Sequence, residues 1–289
     1  MEFYLSALLQ GLCFSGLALG IFISMKIFNI PDITTDGSYT LGGVISAVLL
    51  SKGFSFISVL PLAMLAGALA GTITGIIHTK LKVNPLLAGI LVMTALYSVN
   101  LSLMGRSNLP LINYTTVFTG IIISADADLN SLLLLLIFVT LLVLVLGYLL
   151  RTDFGIAMRA TGSSETMVRA MGVNTDRMKI TGLAMANALT AASGYLISQL
   201  QGFADINMGI GIVIVGLGSV IVGEAVISRF ISAYTAFSLV MVIAGAMLFQ
   251  LVLAFALSIG IDASLLKLLI ASFVLIIVSV PRLLSKAES

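Results

Sequence analysis

LLLLLIFVTLLVLVLGYLL, residues 132–150, runs for 19 positions without a charged side chain. As an α-helix at about 1.5 Å per residue it is about 28 Å long, which matches a hydrocarbon core of about 30 Å. The rest of the chain has the same character. Of 289 residues only 26 are charged, 60% belong to the set AVILMFWYC, and the mean hydropathy is +1.20. A soluble domain needs a polar shell, and there are too few polar residues here to build one. Soluble enzymes, nucleic-acid binders and disordered proteins are therefore poor candidates, and the chain is expected in a bilayer. A net charge of +2 implies no polyanionic partner. A single cysteine, Cys13, excludes an intrachain disulfide framework, and a single histidine, His78, excludes a histidine-rich metal centre. The 13 methionines are scattered, whereas thioether metal sites need clusters.

Outward from this stretch lie eight more apolar runs, at 5–28, 39–50, 54–77, 85–104, 180–200, 210–222, 231–257 and 265–280. The expected fold is an all-α polytopic membrane protein of about eight to nine transmembrane helices. The runs at 39–50 and 210–222 are short enough to be half-spans or re-entrant segments. Met1-Glu2-Phe3 lacks the basic region of a signal peptide, so the first run reads as a permanent span. Gly67 and Gly71 have the small-xxx-small spacing that allows close helix contact. Pro281-Arg282 is expected to close the last helix. Orientation follows from Lys and Arg in short loops. Segment 151–179 carries Arg151, Arg159, Arg169, Arg177 and Lys179; the 78–82 turn carries Lys80 and Lys82; the tail carries Arg282 and Lys286. Segment 105–130 has only Arg106, and 201–209 and 258–263 have none. The pattern is consistent if the rich segments are cytoplasmic and the N-terminus is outside.

Segment 151–179 is the charged part of the protein. Thr161-Gly162-Ser163-Ser164-Glu165 reads as a helix start, with Ser163 capping free amides and Glu165 complementing the helix dipole. Gly172 is placed to stop that helix, and Asn174-Thr175-Asp176 to start the next. The product is a short helix at the membrane surface, Ser163–Met171, presenting Met167, Val168 and Met171 as an apolar stub and Arg169 as a charge. It is either an ordinary amphipathic connector or a docking knob for a soluble subunit.

Three stretches carry a family resemblance. Arg159-Ala160-Thr161-Gly162, Ala170-Met171-Gly172-Val173-Asn174 and Lys179 together resemble the cytoplasmic coupling loop of permease subunits of bacterial ABC importers for branched-chain amino acids and simple sugars. The run from Gln201 to Ala225, with Gly202, Gly209, Gly211, Gly216, Gly218 and Gly223, resembles the glycine-rich segment that follows in the same branch. Pro31-Asp32-Ile33-Thr34-Thr35-Asp36-Gly37-Ser38 is similar to a motif of a subgroup assigned to uptake of amino acids such as tryptophan and tyrosine. The resemblance implies one permease domain over 1–289 in the bacterial inner membrane. It also implies a separate ATPase holding ATP and Mg and docking on Ser164, Glu165, Met167, Val168, Arg169, Met171 and Gly172. An extracytoplasmic substrate-binding protein and a second permease subunit, as a homodimer, complete the assembly. The chain itself is then a transporter subunit without enzymatic activity, cofactor or metal.

The 29–38 break has its own physics. Pro31 removes a backbone donor and disfavours helix at Ile30. Non-helical backbone at membrane depth persists only where it is buried or lines a wet cavity. If the segment is deep, Asp32 and Asp36 mark a pathway; if shallow, Asp36 or Ser38 caps a span starting near Tyr39. Asp32-Ile33 and Asp205-Ile206 form a faint internal echo, each in a polar break before a short glycine-bearing run. Interrupted segments paired in this way point to a transporter's central site, with inverted repeats at about 5–130 and 180–285. The path candidates are Asp32, Thr34, Thr35, Asp36, Ser38, Asn187, Asp205 and Asn207. Asp32 and Asp205 are expected to accept hydrogen bonds from the amides two residues on. Asn100, Gln199 and Gln250 read as helix–helix glue. No Gly-x-x-x-x-Gly-Lys-Ser/Thr loop occurs, so a chain acting alone would be a channel or an ion-coupled secondary transporter, the latter with Asp32, Asp36 and Asp205 as candidate coupling carboxylates.

Overall fold

The computed structural model of the chain describes residues 2–227, 235–262 and 265–287; the start of the expected span 231–257 lies outside them. The first apolar run is broken. Helices α1 (Glu2–Cys13) and α2 (Ser15–Ile21) meet at a bend of 40°, and a π-helical turn, Phe22–Ile27, follows. Helices α3 (Thr34–Ser51), α4 (Phe56–Lys80) and α5 (Pro85–Met104) come next. Strand β1 (Asn108–Pro110) and the single turn α6 (Val117–Gly120) lead to α7 (Ala127–Leu149). Then come α8 (Asp153–Ser163), α9 (Glu165–Ala170), α10 (Thr175–Gln201), β2 (Phe203–Asp205), α11 (Ile212–Ile227), α12 (Thr235–Ser258) and α13 (Leu266–Ala287).

Side-chain caps fix several boundaries. Asn84 accepts the Leu86 amide at 2.9 Å ahead of Pro85, and Gly105 ends α5 in the left-handed region. Asp126 accepts the Asp128 and Leu129 amides at 2.9 and 3.1 Å to open α7. Asn174 accepts the Arg177 amide at 3.0 Å to open α10. Each cap satisfies donors that the first helical turn leaves free.

The described parts of the apolar runs are mostly helical. Among the described residues five helices are long and apolar enough to span, namely α4, α5, α7, α10 and Phe237–Ser258 of α12, and the bent α1–α2 pair makes a sixth. Two boundaries differ from expectation. Helix α3 begins at Thr34, not near Tyr39, because Thr34, Thr35, Asp36 and Ser38 all find partners inside the protein and need no loop. Helix α13 continues past Pro281 to Ala287. Among the described residues the only sheet is the two-stranded antiparallel ribbon β1–β2, with Asn108 opposite Asp205 and Pro110 opposite Phe203.

Helix α10 is the axis of the molecule. Its middle is built of small residues, from Gly182 through Ala191, Ala192, Ser193 and Gly194, and is buried. Small side chains let four elements approach at once. Gly67 and Gly71 of α4 lie against the backbone of Asn187 and Leu183, where a Cβ would overlap the carbonyls. Gly42 of α3 lies against the Ala191 carbonyl in the same way. By contrast α7, almost purely Leu, Val and Ile, leaves Leu136, Ile137, Leu141, Leu144 and Val145 exposed, as a lipid-facing helix does.

The loops sort onto two ends. Lys80 Nζ meets Asp176 Oδ2 at 3.0 Å, joining the 78–82 turn to the start of α10. Gly162 lies against the Ile27 carbonyl, so Lys26 belongs to this basic end too. The β1–β2 ribbon joins segments 105–130 and 201–209 at the opposite end.

Candidate functional site

Two helices start inside the protein, between its ends. Asn187 is the thirteenth residue of α10, about 18 Å along from Thr175 and about 21 Å from Gln201 at 1.5 Å per residue. At this level its Nδ2 donates to Asp32 Oδ2 at 2.7 Å, and its Oδ1 accepts from Ser38 Oγ at 2.7 Å. The chain leaves the basic end at Phe28, which lies against Gly182, and turns back through 29–33. Helix α3 therefore starts near mid-depth and runs toward the far end alongside α10, with Ser46 meeting Gln199 at 3.1 Å.

The start of α3 is held by a closed polar network. Asp32 Oδ1 accepts the Thr34 amide at 2.9 Å, Thr35 Oγ1 donates to the Asp32 carbonyl at 3.1 Å, and Thr34 Oγ1 pairs with Thr74 Oγ1 of α4 at 2.7 Å. Asp32, Thr34, Thr35, Ser38, Thr74 and Asn187 are all buried. Both carboxylate oxygens of Asp32 are used, which is what burial of a charge demands.

Helix α11 starts at the same level from the other side. After α10 ends, the chain passes through β2 and folds back along α3: Met208 lies against Gly43, and Gly209 against the Asp36 carbonyl. Asp36 Oδ2 then accepts the Gly211 amide at 2.9 Å, and Oδ1 accepts the Val213 amide at 2.9 Å. Thus Asp36, which the shallow reading of this break made a cap of its own helix, caps α11 instead, 175 residues away in sequence. Its negative charge sits at the positive end of that helix's dipole. Helix α11 continues to the basic end, where Glu224 meets Lys26 at 2.8 Å. Helices α3 and α11 leave the shared level in opposite directions.

The structure separates the other path candidates. Asp205 accepts the Asn207 amide at 2.8 Å, as expected, and lies within 3.3 Å of Asn108 Nδ2 in the ribbon at the far end. Asp205 is half-buried and Asn207 exposed. Neither bonds to Asp32 or Asn187, because Asp205 pairs with Asn108 in the far-end ribbon while Asp32 sits against the middle of α10. Gln199 behaves as glue, accepting the Val117 amide at 2.7 Å while bonded to Ser46. Sequence reasoning missed Thr74, whose signal was its place in the Gly71–Gly75 stripe facing α10.

The basic end departs from expectation in detail. Thr161, Gly162 and Ser163 finish α8 and do not start α9; Ser164 holds the N-cap position, and α9 has six residues. Thr161 Oγ1 bonds back to the Ala157 carbonyl at 2.7 Å, which suits a helix interior. Gly172, at φ 86°, stops the segment as expected. Met167 and Met171 are exposed, at 62% and 63%, but Val168 is buried at 2% and is no part of an exposed stub. Nor are Glu165 and Arg169 free rim charges. Arg169 donates to Glu165 at 2.9 Å, to Thr175 at 2.8 Å and to Asp176 at 3.3 Å. Glu165 also accepts from Thr175 at 3.2 Å and pairs with Lys179. The bond from Lys179, with the charge of Arg169 adding to it, holds the Glu165 carboxyl below its ordinary range. This network fastens α9 to the first turn of α10, the helix that carries Asn187.

Comparisons with known proteins agree with this architecture. A family described as the permease component of branched-chain amino acid transport systems matches residues 3–279. A tyrosine transport system permease protein of Clostridioides difficile (strain R20291) is 38% identical over 273 residues, covering 94% of this chain and 88% of that one. An uncharacterised protein of Rickettsia prowazekii (strain Madrid E) is 34% identical, covering 93% and 94%. A ribose import permease protein of Haemophilus influenzae is 26% identical, covering 72% and 64%. No solved structure matches. The chain belongs to the family of permease components of branched-chain amino acid transport systems, and is a multi-pass inner-membrane subunit of an ABC importer, not an enzyme.

Proposed function

We propose that this permease carries an amino acid with an aromatic side chain, of the tyrosine class, along a path beside the shared starting level of α3 and α11. The observation that carries the path is the pair of opposed helices beginning at Asp32–Asn187 and Asp36–Gly211. Broken helices of this kind present amide groups and oriented dipoles at mid-membrane in transporters. Asp32, Thr34, Thr35, Asp36, Ser38 and Asn187 shape that level; Asp205 and Asn207 serve the far-end entrance. Support for the solute class comes from the tyrosine permease of C. difficile, 38% identical over nearly the whole chain.

The basic end faces the cytoplasm, by its Lys and Arg content. Segment 151–179 receives the ATPase there, with Met167 and Met171 as exposed anchors and Ser164, Glu165, Val168, Arg169 and Gly172 holding α9 in place. ATP and Mg reside on that partner. A binding protein delivers the solute to the far end, and a second copy of the permease closes the path. Residues 1–289 act as one domain whose halves, about 5–130 and 180–285, are inverted repeats centred on α3 and α11.

The test is uptake of labelled L-tyrosine by the reconstituted complex. Uptake is expected to require ATP and to persist when a protonophore collapses the proton gradient at constant ATP. Loss of uptake with ATP intact defeats the reading.

A further inference from the structure

Between α3, α5 and residues 206–210 lies a small cleft with about 30 Å³ of free volume, enough for one water-sized group. Asp36, Thr40, Met93, Tyr97, Asn100 and Ile210 border it. Asn100 was read from the sequence as helix glue, and its Nδ2 does reach the Gly37 carbonyl, at 3.4 Å. Its Oδ1 is the exception: with the residue 1% exposed, this oxygen accepts no hydrogen bond, and among the described residues it is the one buried side-chain oxygen or nitrogen without a partner. A buried acceptor left unpaired signals a missing donor.

We infer that this cleft is a subsite for the ammonium group of the transported solute. The inference rests on the amino-acid reading above and deepens it. Apart from the Tyr97 hydroxyl at the rim and the second Asn100 Nδ2 hydrogen, the spare bonding capacity of the cleft's side chains is acceptor capacity. Asn100 Oδ1 is free, Thr40 spends its proton on the Asp36 carbonyl at 3.1 Å and keeps its lone pairs, and the Asp36 carboxylate keeps acceptor capacity beyond the amides at the start of α11. No Lys, Arg or His borders the cleft. Three acceptors, one of them charged, match the three donors of a primary ammonium, while a neutral hydroxyl supplies one. Tyr97 is 47% exposed at the rim, and with Met93 it offers apolar surface on which the solute's side chain lies.

The test uses the permease–ATPase complex in lipid nanodiscs without binding protein. Saturation-transfer NMR compares L-tyrosine with 3-(4-hydroxyphenyl)propionate, the same molecule lacking its amino group. The wild-type complex is expected to prefer L-tyrosine at least tenfold. Asn100→Leu should abolish the preference, and Asn100→Asp, which keeps an acceptor oxygen, should retain it. Equal signals from the two compounds, no signal from L-tyrosine, or a preference surviving Asn100→Leu overturns the subsite and means that water alone fills it. If Asn100→Leu does not assemble with the ATPase on size-exclusion chromatography, Thr40→Val carries the test: a loss of preference of at least threefold is expected, and an unchanged preference refutes the site. Uptake by the full complex, measured in parallel, separates the two failures. A complex that moves ribose and no amino acid defeats the solute class itself, whereas one that moves L-tyrosine equally well with Asn100→Leu defeats only the subsite.

Discussion

Replacing Asp36 with leucine removes the only side-chain oxygens that receive the Gly211 and Val213 amides. A buried donor left unsatisfied costs about 1–3 kcal/mol, so the pair costs about 2–6 kcal/mol. Loss of the negative charge at the helix N-terminus adds about 0.3–1 kcal/mol. The damage is local, because α3 has its own anchor at Asp32, Asn187 and Thr74. Hydrogen exchange is therefore the right assay, read by mass spectrometry on a peptide covering 209–215 and on a control peptide from α4. At about 1.4 kcal/mol per tenfold change, even the lower figure speeds local opening roughly 30-fold. Asp36→Asn, which keeps one acceptor oxygen, should lose one bond, about 1–3 kcal/mol, or roughly 5- to 150-fold in exchange. The control peptide should not change in either variant. Wild-type protection of 209–215 in Asp36→Leu would refute the claim that α11 is capped from α3.

Two further outcomes concern the basic end. Met171→Asp places a charge on an exposed apolar anchor and should release or uncouple the ATPase at least tenfold in stimulated ATP turnover, since buried anchors dominate interface energies; Val168→Asp, which buries that charge inside the loop, should instead unfold the α9 segment and raise its proteolysis. The second outcome is a pH dependence. The Glu165 carboxyl is depressed in the folded loop, so its contribution is complete above the unfolded value of about 4.5 and is lost as pH falls through the folded value. Exchange protection of α9 should be flat from pH 8 to about 5 and fall only in stronger acid, and Glu165→Gln should remove that acid limb (rates corrected for intrinsic exchange).

The interplay of Asp32 and Asn187 revises an expectation drawn from local pattern alone. An Asx-type turn needs one oxygen, which suggests that Asp32→Asn is tolerated. In the structure the second oxygen receives Asn187 Nδ2, and Ser38 holds the Asn187 amide in that orientation. An asparagine at 32 thus sets donor against donor, and Asp32 is more demanding than Asp205, whose second oxygen meets only Asn108 in an exposed ribbon.

Local composition alone determined a good deal of this protein. Long uncharged runs such as 132–150 can be stable only as helices in lipid, since the bilayer offers the backbone no partners. The stop at Gly172 and the cap at Asn174 act through residues two or three positions away, so a linear reading found them; Asn84 and Asp126 cap by the same short reach but were seen only in the structure. The 29–38 and 201–209 breaks were visible for the same reason, as polar residues and proline between apolar runs. Only the tertiary structure decided which partners those breaks have. Asp36 capping a helix 175 residues distant, Thr34 pairing with Thr74, Val168 turned inward and Asn100 left with a free oxygen all depend on which helix faces lie against α10. That choice rests on close backbone approach at Gly42, Gly67 and Gly71, a steric property of whole faces that no short window of sequence contains.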